Sequence, residues 1–140
     1  MISDILIKDT LILPEPGISK VIDSGFITIN GNRITRIGPM EQCTDIQAET
    51  TIDGKGCLAM PGLINGHCHG AMTLFRGLAD DMDLGQWLNE HIFPAEAKNV
   101  SPEMVYWCSK LAAAEMILSG TTTVADGYFH EHHAARAFAD

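Results

Sequence analysis

The run Ala59-Met60-Pro61-Gly62-Leu63-Ile64-Asn65-Gly66-His67-Cys68-His69-Gly70 decides how the rest of the chain is read. It opens on a Pro-Gly turn, passes through an apolar pair and ends in two histidines separated by one residue. Side chains alternate faces along a strand, so His67 and His69 project to the same side while Cys68 points away. Their Cα atoms would lie ~6.5 Å apart at the rise of a strand, which lets two imidazoles converge on one metal ion. Gly66 and Gly70 let the backbone bend close to a bound ion or substrate. A strand ending in inward-pointing polar residues is how a parallel barrel presents its catalytic face. A catalytic zinc-type centre takes three or more protein ligands plus water, so two histidines alone are not a site; the alternative is a pair satisfied by buried backbone groups.

Bulk properties narrow the function. The 140 residues suit one domain by length, and 46% hydrophobic with 19% charged residues is the texture of a globular chain. Eighteen acids against nine bases leave a net charge of −9, which repels phosphate backbones and argues against nucleic acid as a partner. The start, Met1-Ile2-Ser3-Asp4, carries an acid where an export signal needs a positive region, and no apolar run approaches the ~20 residues that span a bilayer. Cys43, Cys57, Cys68 and Cys108 are scattered without C-x-x-C spacing. They read as reduced thiols in a cytoplasm, against the alternative of a four-cysteine framework.

Outward from the histidine pair, the two sides of Pro61 differ. Upstream, residues 1–58 read as short strands broken by turns. Ile5-Leu6-Ile7 and Leu11-Ile12-Leu13 flank Asp9-Thr10, and Pro14-Glu15-Pro16-Gly17 ends the second of them. Phe26–Ile29 and Arg33–Ile37 flank Asn30-Gly31-Asn32, a strong hairpin signal. Thr50–Ile52 precedes a turn at Asp53-Gly54-Lys55-Gly56. Downstream, strand and helix alternate. Asp83 is a helix cap before an apolar stripe of Leu84, Trp87, Leu88, His91 and Ile92, which Pro94 ends or offsets. Ser101-Pro102 starts a helix with a stripe of Met104, Trp107, Cys108, Leu111, Ala114 and Leu118, stopped at Gly120. Thr121–Ala125 is a second buried strand, and a further helix begins at His130. This order implies parallel pairing with crossover helices. Two such units do not close a barrel, which takes ~250 residues, so the chain is expected to be the N-terminal piece of a longer enzyme.

Met60 to His69, followed by Met72-Thr73-Leu74-Phe75-Arg76-Gly77, resembles the metal-binding first strand of the amidohydrolase superfamily. Asp80 to Leu88 and Ile92-Phe93-Pro94-Ala95-Glu96 resemble the branch of methylthioadenosine/S-adenosylhomocysteine deaminases, guanine deaminases and triazine chlorohydrolases. The resemblance implies an α/β plus β fold: residues 1–60 as the N-terminal part of a small β-sandwich, then residues 61–140 as the first βα units of a (β/α)8 barrel. It implies one divalent metal, zinc or else iron, on His67 and His69. The family's further ligands, two histidines and an aspartate, and its proton-moving Glu or His come from later strands, so no catalytic residue is assigned here and the isolated chain is expected to be inactive. The implied reaction is attack of metal-activated water on a ring carbon with release of ammonia.

The other candidates divide between chemistry and packing. Glu96 is either a solvated helix-start carboxylate or, as the resemblance implies, a substrate-binding residue whose two oxygens accept from the vicinal hydroxyls of a ribose. Trp87 is either core or a ring at the mouth of a substrate pocket. Cys68 is expected to pack, His130, His132 and His133 to form a solvated helix start, and Asp126 to cap the next turn. The expected whole is a cytoplasmic, homo-oligomeric aminohydrolase acting on a purine nucleoside or related nitrogen heterocycle, with no nucleic-acid or membrane partner. The alternatives are a chlorohydrolase or amidohydrolase of s-triazine-like or cyclic amide substrates, and a non-catalytic metal-binding or interaction module.

Overall fold

The computed structural model describes residues 2–15 and 20–140, which form two compact units, Met1–Pro61 and Gly62–Asp140. The expected turn residues Pro16 and Gly17 lie outside the described residues.

The first unit is a five-stranded mixed sheet in the order β3-β2-β1-β4, with β5 also paired to β1. The strands are β1 (Ser3–Ile12), β2 (Ile22–Asn30), β3 (Arg33–Pro39), β4 (Ala48–Asp53) and β5 (Leu58–Ala59). The expected hairpin joins β2 to β3, with Asn30 opposite Arg33 and Gly31 at φ +55° in the turn between them. The two segments expected around Asp9-Thr10 are one strand. Asp9 sits at φ +59° and the register against β2 slips between Ile7 and Thr10. Asp is among the residues that tolerate this left-handed region, so the chain bulges instead of ending the strand. The opposite edge of β1 changes partner at the same place. β4 pairs up to Lys8–Asp53, and β5 resumes at Leu11–Leu58. Gly54 makes the switch possible, because a side chain there would collide with Thr10. The Thr10 hydroxyl in turn donates to the Cys57 carbonyl at 3.0 Å. Leu6, Ile12, Phe26 and Ile27 form the buried apolar set of this unit.

In the second unit β6 (Leu63–Cys68) pairs in parallel with β7 (Thr121–Asp126). Between them run a 3-10 segment, Gly70–Phe75, and the helices α1 (Leu84–Gln86), α2 (Phe93–Asn99) and α3 (Pro102–Leu118); α4 (Glu131–Ala139) follows β7. The start signals work as read: Asp83 Oδ1 accepts from Gln86 N at 3.0 Å and Ser101 Oγ from Met104 N at 3.1 Å. Of the two outcomes expected at Pro94, an end or an offset of the helix, the structure shows the offset. The six residues Trp87–Ile92 form a π-helical turn that carries α1 into α2 and leaves Pro94 in the first turn of α2. A wider turn accommodates a residue that lacks an N–H and crowds the preceding carbonyls.

The buried face of α3 also differs from the expected stripe. Val105, Ser109 and Ala112 are buried, while Trp107, Leu111, Ala114 and Leu118 are exposed and Met104 and Cys108 are half-buried. The 3-10 segment, α4 and β7 pack against α3, and small side chains let them come close. The centre of this unit is Ala71, Val105 and Ala134, with Met104, Cys108, Tyr128 and Phe138 against them. Hydrophobicity alone does not reveal that choice of face.

Gly62 sets the distance between β6 and β7, since a Cβ on it would overlap the Thr122 side chain. Gly62→Ala is therefore expected to destabilise the intact protein by about 1–3 kcal/mol through overpacking, read from urea unfolding midpoints. A variant as stable as the parent would show that the strands can move apart freely.

Candidate functional site

The parallel pairing of β6 and β7 brings the ends of both strands together. Cys68 lies opposite Asp126, and Gly127 N donates to the Cys68 carbonyl at 3.2 Å. Asp126 then ties the two chains beyond the sheet: its Oδ1 accepts from Gly70 N and from Gly127 N, each at 3.0 Å. The bond from Gly127 N starts the next turn, as expected from the sequence, and the bond from Gly70 N, which was not expected, clamps the exit of β6. A Cβ on Gly70 would press on Asp126 Oδ2 at 3.1 Å and on Phe138 at 3.2 Å, so a larger residue there would push on the clamp. Oδ2 is buried without a hydrogen-bond partner among the described residues.

His67 lies in β6 and His69 follows it, outside the strand at φ −133° and ψ 71°. Their rings meet edge to face, with Nε2 of each 3.2 Å from the other. His69 Nδ1 lies 2.7 Å from the Gly127 carbonyl. A carbonyl only accepts, so Nδ1 carries the proton and, in the neutral ring, Nε2 keeps the lone pair. Two nitrogens bound tetrahedrally to one zinc ion at ~2.0–2.1 Å would lie about 3.3 Å apart. The pair therefore has the spacing and, for His69, the tautomer that a shared cation requires. A ligating histidine whose second nitrogen donates to a backbone carbonyl is a recurrent feature of metal centres.

Cys68 is half-buried beside the Asp126 carboxylate. Burial first, and then the Asp126 carboxylate, push its thiol pKa up, which favours the protonated packing form over a thiolate ligand. His130, His132 and His133 cluster elsewhere, with the rings of His132 and His133 4.1 Å apart. His130 precedes α4 at φ +52°, and no group of three or more metal-binding side chains is found among the described residues.

His69 also lines an open cleft of about 580 Å³, within the range of small-molecule pockets. Trp87, Phe93, Glu96, Tyr128 and Phe129 line it too, so three of the four residues singled out from sequence, His69, Trp87 and Glu96, fall on one concavity, and His67 adjoins it through its contact with His69. Glu96 is not the solvated carboxylate that helix position alone suggested. It is buried, with 9% of its surface exposed, and accepts a hydrogen bond from the Tyr128 hydroxyl at 2.6 Å. Burial, followed by the bond to Glu96, pushes the Tyr128 pKa well up, so the hydroxyl remains a donor. The sequence reading missed Gly127 and Tyr128. Consecutive in the chain, one holds His69 and the other holds Glu96. Their only signal was position directly after a strand that ends at the same level as the histidines.

The chain belongs to the amidohydrolase family, whose match covers residues 58–140. It is 48% identical over 136 residues to the 5-methylthioadenosine/S-adenosylhomocysteine deaminase of Syntrophobacter fumaroxidans, a match covering 96% of this chain and 31% of that protein. It is 47% identical over 135 residues to the 5'-deoxyadenosine deaminase of Methanosarcina mazei, covering 96% and 30%. Among solved structures, a zinc-bound adenosine deaminase from Xanthomonas campestris superposes with a TM-score of 0.89 at 34% identity, over 98% of this chain and 31% of that one. The chain thus spans about a third of the length of the relatives it matches. No helix among the described residues is long and apolar enough to cross a membrane.

The Asp126 clamp supports a stability prediction. Asp126→Ala removes the acceptor of two backbone N–H groups and is expected to cost about 2 kcal/mol, whereas Asp126→Asn, which keeps one acceptor oxygen, costs about 1 kcal/mol. Urea midpoints of the intact protein measure both. Equal and negligible losses would show that water replaces the carboxylate at no cost.

Proposed function

We propose that this chain is the first part of a metal-dependent aminohydrolase that removes an exocyclic amine from a purine nucleoside by hydrolysis. The observation that carries the reading is the His67–His69 pair, with Nε2 atoms 3.2 Å apart and His69 oriented by the Gly127 carbonyl. Support for the substrate class comes from the two deaminases, each near half identical to this chain over almost all of it.

In this reading the five-stranded unit is part of a small β-sandwich, and β6 and β7 with their helices are the first βα units of a (β/α)8 barrel. The parallel pairing of β6 with β7 across intervening helices supports the barrel assignment, and the catalytic face of such a barrel lies at the C-terminal ends of its strands. His67 and His69 stand at that end and would hold one divalent cation, zinc being the one named in the solved relative. When bound, the cation supplies Lewis-acid activation of water. The remaining ligands would come from later strands.

The chain's own residues then bind and orient the substrate. Trp87 contributes an aromatic wall to the cleft beside His69 and would receive the flat heterocycle. Glu96 would accept hydrogen bonds from the ribose hydroxyls; its hydrogen bond from Tyr128 supports a fixed orientation. The four free cysteines fit a reducing, cytoplasmic setting.

The test is ammonia release by the intact protein, supplied with Zn²⁺, from 5'-methylthioadenosine, S-adenosylhomocysteine, 5'-deoxyadenosine and adenosine, with guanine and an s-triazine as contrasts. Deamination of at least one of the adenosines is expected; none from any of the four would overturn the reading. His67→Ala or His69→Ala is expected to lower both bound zinc and turnover by more than the roughly 10–100-fold that outer-shell changes cost. Full zinc occupancy in either variant would rule out the assigned ligands.

A further inference from the structure

The Glu96 carboxylate in the cleft is held by a single neighbouring side chain among the described residues, Tyr128. Glu96 is buried in α2, and among the described residues its side chain takes part in no ion pair; the Tyr128 hydroxyl is its hydrogen-bond partner, at 2.6 Å on Oε1. A buried carboxylate without a cation depends on such donors. Oε2 makes no protein hydrogen bond among the described residues, and both side chains line the cleft that His69 also lines. Tyr128 is itself held from two sides. Its backbone N–H donates to Glu131 Oε2 at 2.8 Å, and the preceding residue carries the carbonyl that binds His69.

We propose that Tyr128 is a positioning residue that holds Glu96 by one carboxylate oxygen so that the other meets a substrate hydroxyl, and thereby sets the preference for nucleosides that carry a ribose diol. This rests on the reading of Glu96 as the acceptor for those hydroxyls. The hydroxyl of Tyr128 occupies one oxygen as donor and leaves the second free. A vicinal diol can then donate to an acceptor that is already aimed, and the ordering cost is met before the substrate arrives. Without the hydroxyl, the carboxylate would turn toward water in the open cleft and the diol would lose its fixed partner. Tyr128 touches neither the reacting carbon nor the cation in this scheme, so its removal should alter binding and leave the chemical step intact.

The experiment compares kcat and KM of the intact, zinc-loaded protein on adenosine and 2',3'-dideoxyadenosine. Tyr128→Phe is expected to raise KM for the ribonucleoside roughly tenfold, the loss of about one hydrogen bond to a charged group, with kcat little changed and the dideoxy KM unmoved. Glu96→Ala should erase the same discrimination, and Tyr128→Phe added to Glu96→Ala should add nothing further. Tyr128→Met supplies a second variant without the hydroxyl in case the first does not accumulate. If Tyr128→Phe raises both KM values alike, or lowers kcat alone, or leaves the discrimination intact while Glu96→Ala removes it, the proposal is overturned. Discrimination that survives Glu96→Ala overturns the diol reading of Glu96 itself, separately from the deaminase reading, which the ammonia assay tests.

Discussion

The bond from His69 Nδ1 to the Gly127 carbonyl, 2.7 Å long, is the contact on which the site depends. It joins the end of one strand to the end of another that is about sixty residues later in sequence, and it decides which nitrogen of His69 faces its neighbour. The surrounding structure exists to place that carbonyl. β6 and β7 must pair in parallel, Gly62 must let them approach Thr122 closely, and Asp126 must bind both Gly70 N and Gly127 N. Each of these is a backbone constraint, and side-chain chemistry follows from it.

The same two residues after β7 give the cleft its polarity. Gly127 orients an imidazole, and Tyr128 orients the carboxylate of Glu96. His69 and Glu96 therefore depend on one short piece of backbone, and a shift of that piece would disturb both together.

Much of the fold was legible from local signals. The Asn30-Gly31 hairpin, the capping side chains of Asp83 and Ser101, the Gly120 stop and the β-branched run at Thr121 all act within a few residues of themselves. The misreadings concern events that local pattern does not encode. The bulge at Asp9 arises because β1 changes partner from β4 to β5 there. At Pro94, where an end and an offset of the helix were both expected, local pattern did not choose between them, and the π-helical turn makes it an offset. The buried face of α3 was chosen by close neighbours that accept Val105, Ser109 and Ala112, while Trp107 and Leu111 remain exposed.

Spacing in the sequence was enough to pair two imidazoles, through the alternation of side chains in an extended backbone, although His69 lies just past the end of β6 and its ring meets that of His67 from there. It also marked Trp87 and Glu96 through their resemblance to a known family. Only the tertiary structure decided that Glu96 is buried and hydrogen-bonded, that Asp126 also binds Gly70 N across the sheet, and that Gly127 and Tyr128 are the partners of His69 and Glu96. The reason is physical: these assignments are contacts between groups some thirty to sixty residues apart, and such contacts exist only once the strands have paired and the helices between them have packed.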